Sequence, residues 1–214
     1  MLISLCFTAF GYLCGSILFA RVYGALFGKD LISNSTDGNP GTSNAFIYGG
    51  MLCGTLTLLG DLIKGFLPVF LYLYMTRGNM DIYLAPVLVS PVLGHILPCF
   101  YRFRGGKGMA ASLGMLFALN WALALGLLGL EVLVAALTGY VSVASLTTAV
   151  AFPIVMGIVY RNSPDFWMYF IFAILLAAAA IFSHRANIRR LLSGTENRLN
   201  FKKIKVKPDE KTKG

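Results

Sequence analysis

The sequence predicts an all-α integral membrane protein, a seven-span helical bundle with its N-terminus outside and its C-terminus cytoplasmic. Three observations carry this expectation. Hydrophobic residues are 57% of the 214-residue chain, charged residues only 13%, and the mean hydropathy is +0.73, whereas about a quarter of the residues of a soluble domain are charged. Runs with few or no charges cover 1–20, 45–75, 82–101, 109–130, 132–160 and 166–183, against the roughly 20 apolar residues a bilayer core requires. Finally, ten of the eighteen Lys and Arg residues lie from Arg185 onward, opposed only by Glu196, Asp209 and Glu210. By the positive-inside rule that end is cytoplasmic.

The elements follow in order. The first run lacks a basic n-region, exceeds the usual h-region and continues apolar past Arg21, so it reads as a retained span, not a cleaved signal. The second holds Asp61 and Lys64 at i, i+3, a spacing that lets the two charges neutralise each other inside an apolar helix. The third contains His95, between Gly94 and a prolyl stretch, a residue placed either to pin a helix or to touch ligand, the first being the preferred reading. Arg102, Arg104 and Lys107 give the next loop three positive charges and no acid, which puts it on the face of the tail. An even number of spans must then separate Lys107 from His184, although the apolar runs between them number three. The 52 residues from Met109 to Tyr160 are therefore expected to hold three short spans, broken near Asn120 to Gly129 and at Thr138-Gly139-Tyr140. One transmembrane domain occupies 1–201 and a basic tail 202–214, the tail serving as an electrostatic anchor to anionic lipid. Cys6, Cys14, Cys53 and Cys99 sit in apolar runs without C-x-x-C spacing and read as small hydrophobes, giving no disulfide or metal site.

Four polar clusters would share the cytoplasmic face. In Ser33 to Asn44, "SNSTDGNPGTSN", the Asn39-Pro40-Gly41 step suits a tight turn, with Gly41 free to take φ > 0. In Phe100 to Ser112, "FYRFRGGKGMAAS", Gly105, Gly106 and Gly108 let backbone N–H groups turn toward one point at a helix start, and Lys107 adds a full charge. That is the chemistry of an anion or phosphate cradle. It is not a Walker A loop, because no Gly stands five before Gly106 and Gly108 occupies the Ser/Thr position. In Gly139 to Ser145, "GYVSVAS", Ser142 and Ser145 share a helical face. In Ser183 to Asn197, "SHRANIRRLLSGTEN", helical spacing aligns His184, Asn187 and Leu191, and Gly194 is placed to end that helix as its C′ residue.

These residues resemble the PlsY-type membrane glycerol-3-phosphate acyltransferases, which use acyl phosphate as donor. The resemblance spans the chain and rests on "GSILF" (15–19), "GNPGTSN" (38–44), "DLIKG" (61–65), "GHILPCFYRFRGGKG" (94–108), "YVSVAS" (140–145) and "HRANIRRLLSGTE" (184–196). It implies seven spans in the bacterial plasma membrane and a site facing the cytoplasm. In that site Lys107, Ser142, His184 and Asn187 would be catalytic. Asp37, Gly38, Asn39, Gly41, Ser43, Asn44, Arg104, Gly105, Gly106, Gly108 and Ser145 would bind substrate. It implies acyl transfer from acyl phosphate to the sn-1 hydroxyl of glycerol 3-phosphate, giving lysophosphatidic acid, with no cofactor or metal. The partners implied are membrane lipids and an enzyme that produces acyl phosphate; nucleic acid is not expected, and the chain is expected to be a monomer. An acyl phosphate is a mixed anhydride, so positioning and charge stabilisation suffice without a nucleophilic side chain. The H-x-x-x-x-D motif of other glycerophosphate acyltransferases is missing, since neither His95 nor His184 has an Asp five residues later.

The departures from the family pattern concentrate in the first cluster. Where the family usually reads D-I-R-K-x-G-S-G-N-x-G-A-T-N, Ser33 replaces Arg, Asn34 Lys, Thr36 Gly and Asp37 Ser, and Ile47 stands in the place of a further Arg. Cations that help hold the acceptor phosphate are lost and a carboxylate is gained. Three readings stay open at this level: the family reaction with Arg102 or Arg104 supplying the missing charge, a different and uncharged hydroxyl acceptor, or an inactive lipid-binding relative. A transporter or channel fits poorly, because Asp61, Lys64 and Glu131 alone approach a midplane path.

Overall fold

The computed structural model describes residues 1–33, 35, 38–78 and 80–198, and among these every regular element is helical. The basic tail, Asn34, Thr36 and Asp37 lie outside the described residues. The order is α1 (Leu2–Ser16), α2 (Phe19–Leu26), α3 (Thr42–Gly49), α4 (Met51–Met75), α5 (Leu84–Ile96), a single 3₁₀ turn (Cys99–Tyr101), α6 (Met109–Leu119), α7 (Trp121–Thr138), α8 (Val141–Val159), α9 (Phe166–Ser183) and α10 (Arg185–Leu192).

Among the described residues, six segments are long and apolar enough to cross a bilayer: Leu2–Leu26, Met51–Met75, Leu84–Tyr101, Trp121–Thr138, Val141–Val159 and Phe166–Ser183. The stretch 109–160 does hold three helices. The first break is sharp at Asn120, whose side chain accepts from the Leu123 N–H at 3.1 Å and so caps α7. The second lies at Gly139, in the left-handed region at φ +76° as the C-cap of α7. However, α6 has only 11 residues, about 16 Å of helix, short of the roughly 30 Å of a bilayer core. Its apolar faces are covered by protein.

One large core runs through the bundle, with Leu84, Leu88, Met115, Met156 and Tyr169 among its fully buried side chains. Lipid-type packing by small residues brings α4 and α6 together: a Cβ on Gly65 would collide with the Ala111 carbonyl, and one on Gly114 with the Leu62 carbonyl. A second, smaller core of Ala20, Leu31, Ala45 and Cys53 holds α2, α3 and the start of α4.

The expected Asp61–Lys64 pair forms, with Lys64 Nζ 2.7 Å from Asp61 Oδ1, and it reaches further than spacing alone indicates. Lys64 also donates to the Ile17 carbonyl at 2.6 Å, a group left open where the backbone turns extended between α1 and α2. His95 Nδ1 lies 3.7 Å from the same Asp61 oxygen. All three side chains are buried, so one charged knot ties α4 to the α1–α2 break and to the end of α5.

Candidate active site

The glycine loop is built on that knot. Its Gly106 N–H donates to the His95 carbonyl at 3.0 Å. A Cβ on Gly105 would strike the His95 carbonyl, and one on Gly106 the His95 ring at Nε2. The loop therefore lies flat on His95, which corrects the expectation that all three glycines aim their N–H groups at one anion: that of Gly106 points inward. Gly108 alone needs positive φ, at +81°, where it caps α6. The first bond inside α6 runs from Ser112 N–H to the Gly108 carbonyl, so the N–H groups of Met109, Ala110 and Ala111 have no intrahelical acceptor. Open N–H groups at a helix start, with Lys107 half-buried beside them, make a local geometry able to accept an anion. Just before it, Arg102 and Phe103 both adopt left-handed backbone at φ +53° and +58°, a conformation that turns the chain back beneath the exposed Arg104.

A second group forms where α8 begins and α9 gives way to α10. His184, the N-cap of α10, is buried, and its Nδ1 lies 2.8 Å from the Ala180 carbonyl. A carbonyl can only accept, so Nδ1 carries the hydrogen and Nε2 of the neutral ring is the acceptor. Gly194 at φ +70° ends the helix as expected and turns the chain back, so that Glu196 accepts from Asn187 Nδ2 and Arg190 Nε, each at 2.6 Å. Burial acts to raise the Glu196 carboxyl, but hydrogen bonds from Asn187 and Arg190 and the nearby Ser142 hydroxyl together hold it below its ordinary value. Ser142 Oγ itself makes no hydrogen bond of regular geometry, and neither does Asn187 Oδ1, although both are buried. Glu196 and Arg190 were not among the residues singled out from sequence; the signal was the glycine two positions before the carboxylate. Arg198 completes the strap, donating to Tyr140 Oη at 2.9 Å.

Ser145, expected to bind substrate and sharing a face with Ser142, is engaged by a neighbouring side chain. Its hydroxyl donates to Glu131 Oε1 of α7 at 2.8 Å, so it is joined to a neighbouring helix.

An apolar cleft connects the two groups. It is lined by Met109, Leu113 and Leu116 of α6, Leu127 and Glu131 of α7, Thr148 and Phe152 of α8, and Leu176 and Ala180 of α9, among others. Met109 follows Gly108 directly, and Ala180 is the residue whose carbonyl holds His184. The glycine loop, the start of α8 and the α9–α10 junction thus lie at one end of the bundle, at the mouth of a groove that runs down between the helices.

The first cluster lies between Leu31 and Ala45, two residues of the smaller core. Gly41 is the N-cap of α3 with φ −114°, and the positive φ falls instead on Gly38, at +60°. Pro40 is fully buried, and the Asn44 side-chain amide donates to the Asn39 carbonyl at 2.8 Å, which closes the turn from inside α3. Ser43 is exposed. Ile47 on the same helix is 48% exposed and puts no charge there. Asp30 stays with its own turn, accepting from the Ser33 and Ile32 N–H groups at 3.0 and 3.2 Å; those bonds, Ser33 first, lower its carboxyl.

The glycerol-3-phosphate acyltransferase family model matches residues 5–194. The chain is 37% identical over 194 residues to the glycerol-3-phosphate acyltransferase of Paraburkholderia phytofirmans, covering 90% of this chain and 89% of the relative. It is 41% identical over 191 residues to that of Methylobacillus flagellatus, covering 89% and 94%. Among solved structures, the glycerol 3-phosphate form of PlsY, described as an integral membrane glycerol 3-phosphate acyltransferase, superposes with a TM-score of 0.85 at 34% identity, covering 92% of this chain and 96% of that one. The lysophosphatidic acid form gives 0.80 at 31% identity, covering 94% and 97%. With its all-helical bundle, its sequence and its structural neighbours in agreement, the chain belongs to the glycerol-3-phosphate acyltransferase family.

Proposed function

We propose that the protein transfers a fatty acyl group from acyl phosphate to the sn-1 hydroxyl of glycerol 3-phosphate, giving lysophosphatidic acid for phospholipid synthesis. The carrying observation is the meeting, at one end of the bundle, of an open helix start suited to an anion, a buried histidine whose Nδ1 is fixed by the Ala180 carbonyl and an apolar cleft. The cleft takes the acyl chain. The open N–H groups at the start of α6, with Lys107, take the phosphate and the charge that develops as it leaves. The acceptor oxygen attacks the acyl carbonyl carbon, the carbon–oxygen bond to phosphate breaks, and the departing phosphate carries away the electron pair. His184 Nε2 receives the hydroxyl proton. Ser142 and Asn187, whose buried oxygens lack regular partners, orient the reacting groups, and Glu196 holds Asn187 in place. In this reading the chain crosses the bacterial plasma membrane seven times, α6 being the short crossing, with the N-terminus outside and the site facing the cytoplasm. It acts as a monomer beside an enzyme that supplies acyl phosphate.

One observation favours a second acceptor class. Ile47 is exposed on α3 where the family usually has an Arg, and Ser33 likewise brings no cation, which suits an uncharged hydroxyl compound better than a phosphate. Purified protein given palmitoyl phosphate with glycerol 3-phosphate, and separately with neutral polyols, decides between them. Lysophosphatidic acid formation that is insensitive to Asp37→Ser supports the family reaction. Transfer to polyols alone, lost on Asp37→Ser, supports the second. Consumption of acyl phosphate with neither acceptor acylated rules out both.

A further inference from the structure

The family reaction needs only an apolar groove for the acyl chain, yet this groove contains a carboxylic acid. Glu131 lines the cleft partway along α7, within a segment long and apolar enough to span the membrane. An ionisable group at such a position is expensive and marks a ligand or a partner. Its one visible partner is the Ser145 hydroxyl, 2.8 Å from Oε1, whereas two carboxylate oxygens can accept about four hydrogen bonds. A bridge between α7 and α8 alone would need no more than an amide or a hydroxyl.

Thr148 supplies an independent sign. Threonines inside helices usually satisfy their hydroxyls by bonding to the carbonyl one turn back, and Thr147 and Thr138 of this protein do so, to Val143 and Val134 at 2.9 and 2.7 Å. Thr148, only 8% exposed and lining the same cleft, leaves its Oγ1 buried without a partner. Around these two groups the walls are Leu113, Leu127, Leu128, Ala149 and Phe152. Apart from Ser112, one turn into α6, the remaining lining is apolar, so Glu131 and Thr148 form a polar step within the cleft. Ser145, which fixes Glu131, lies one helical turn along α8 from Ser142, about 4.5 Å along the axis, and Thr148 lies about 9 Å along. The step therefore lies several carbon–carbon bonds beyond the reacting end, well past the third carbon of a bound chain.

We propose that the cleft is a binding site for acyl chains bearing a hydroxyl several carbons in from the carboxyl end, Glu131 accepting a hydrogen bond from that hydroxyl and Thr148 completing the polar step. This rests on the cleft being the acyl site of the proposed reaction. A plain chain passing the step leaves Thr148 unpaired and Glu131 with the Ser145 hydroxyl alone; a hydroxylated chain satisfies both, and discrimination comes from that asymmetry.

The test is binding, which does not depend on turnover. Purified full-length protein in detergent is titrated with 6-hydroxypalmitate and with palmitate in competition against a fluorescent fatty acid. Wild type is expected to bind 6-hydroxypalmitate about tenfold more tightly, the worth of one charge-assisted buried hydrogen bond. Glu131→Leu is expected to abolish that ratio while leaving palmitate affinity equal or higher. Thr148→Val, which keeps volume, lowers the ratio severalfold, and so does Glu131→Gln, which keeps the bridge to Ser145 and so carries the test if the leucine variant does not fold. Equal affinities in wild type, or a ratio that survives these substitutions, overturns the proposal; a purely structural Glu131 would weaken both ligands alike. Acyl transfer from palmitoyl phosphate is measured alongside. A preference without turnover counts against the proposed reaction only, and turnover without a preference counts against this inference only.

Discussion

At the residue scale, Lys107 and Glu196 carry the site's charge in different ways. In the proposed reaction Lys107 acts on the ligand, so Lys107→Ala is expected to lower kcat/KM for acyl transfer by about 10- to 100-fold, the loss of one or two charge-assisted hydrogen bonds, while leaving thermal stability nearly unchanged. Glu196 acts on its neighbours, and pH reads it. Its carboxyl is held below the ordinary value of 4.5, so the unfolded chain takes up protons before the folded one does. Its stabilising contribution is complete above that ordinary value and is lost as pH falls through the lower folded value. Thermal unfolding in detergent between pH 6 and pH 3 is expected to show Tm falling in wild type, and falling less steeply in Glu196→Gln. His184, Asn187 and Ser142 were legible from helical spacing and from the resemblance. Glu196 was not, because its place depends on the reversal at Gly194, which spacing along a helix does not describe.

At the element scale, the Asp61–Lys64–His95 knot explains why a glycine loop can hold its shape between two greasy helices. Removing one member of a buried pair leaves a charge without compensation, which costs roughly 3–5 kcal/mol, whereas replacing both with apolar residues is close to neutral. Asp61→Leu is therefore expected to unfold at markedly lower temperature than Asp61→Leu/Lys64→Leu, and a double-mutant cycle measures the coupling. Gly106→Ala tests the contact between loop and knot. Its Cβ would drive into the His95 ring, so the loop must shift, and the expected result is a raised KM for acyl phosphate with a smaller change in kcat. The helix count across 109–160 was legible from charge parity. The brevity of α6 was not, since its 11 residues are stabilised by Gly65 and Gly114 packing against backbone, a relation between two helices that neither sequence segment displays alone.

At the scale of the whole molecule, the glycine loop and the α9–α10 junction share one end of the bundle, and sidedness follows from where their positive charge lies. Single cysteines placed at Arg104 and at Thr195, in a background with Cys6, Cys14, Cys53 and Cys99 replaced by Ala, are expected to react with an impermeant maleimide only after the inner face of vesicles is opened. Labelling of the two on opposite faces would contradict the shared end. The sequence by itself determined the membrane class, the helical content, the polar clusters and the family, because hydropathy, charge and spacing are local properties written along the chain. It also showed which cations the first cluster lacks. Only the tertiary structure decided that the Gly106 N–H is used internally by His95, that Ser145 serves Glu131, that Glu196 anchors Asn187 and that the cleft carries a polar step. Each of these depends on which side chains from distant segments come within hydrogen-bonding distance after packing, and packing is set by close approach of helices, to which no single stretch of residues gives a signature.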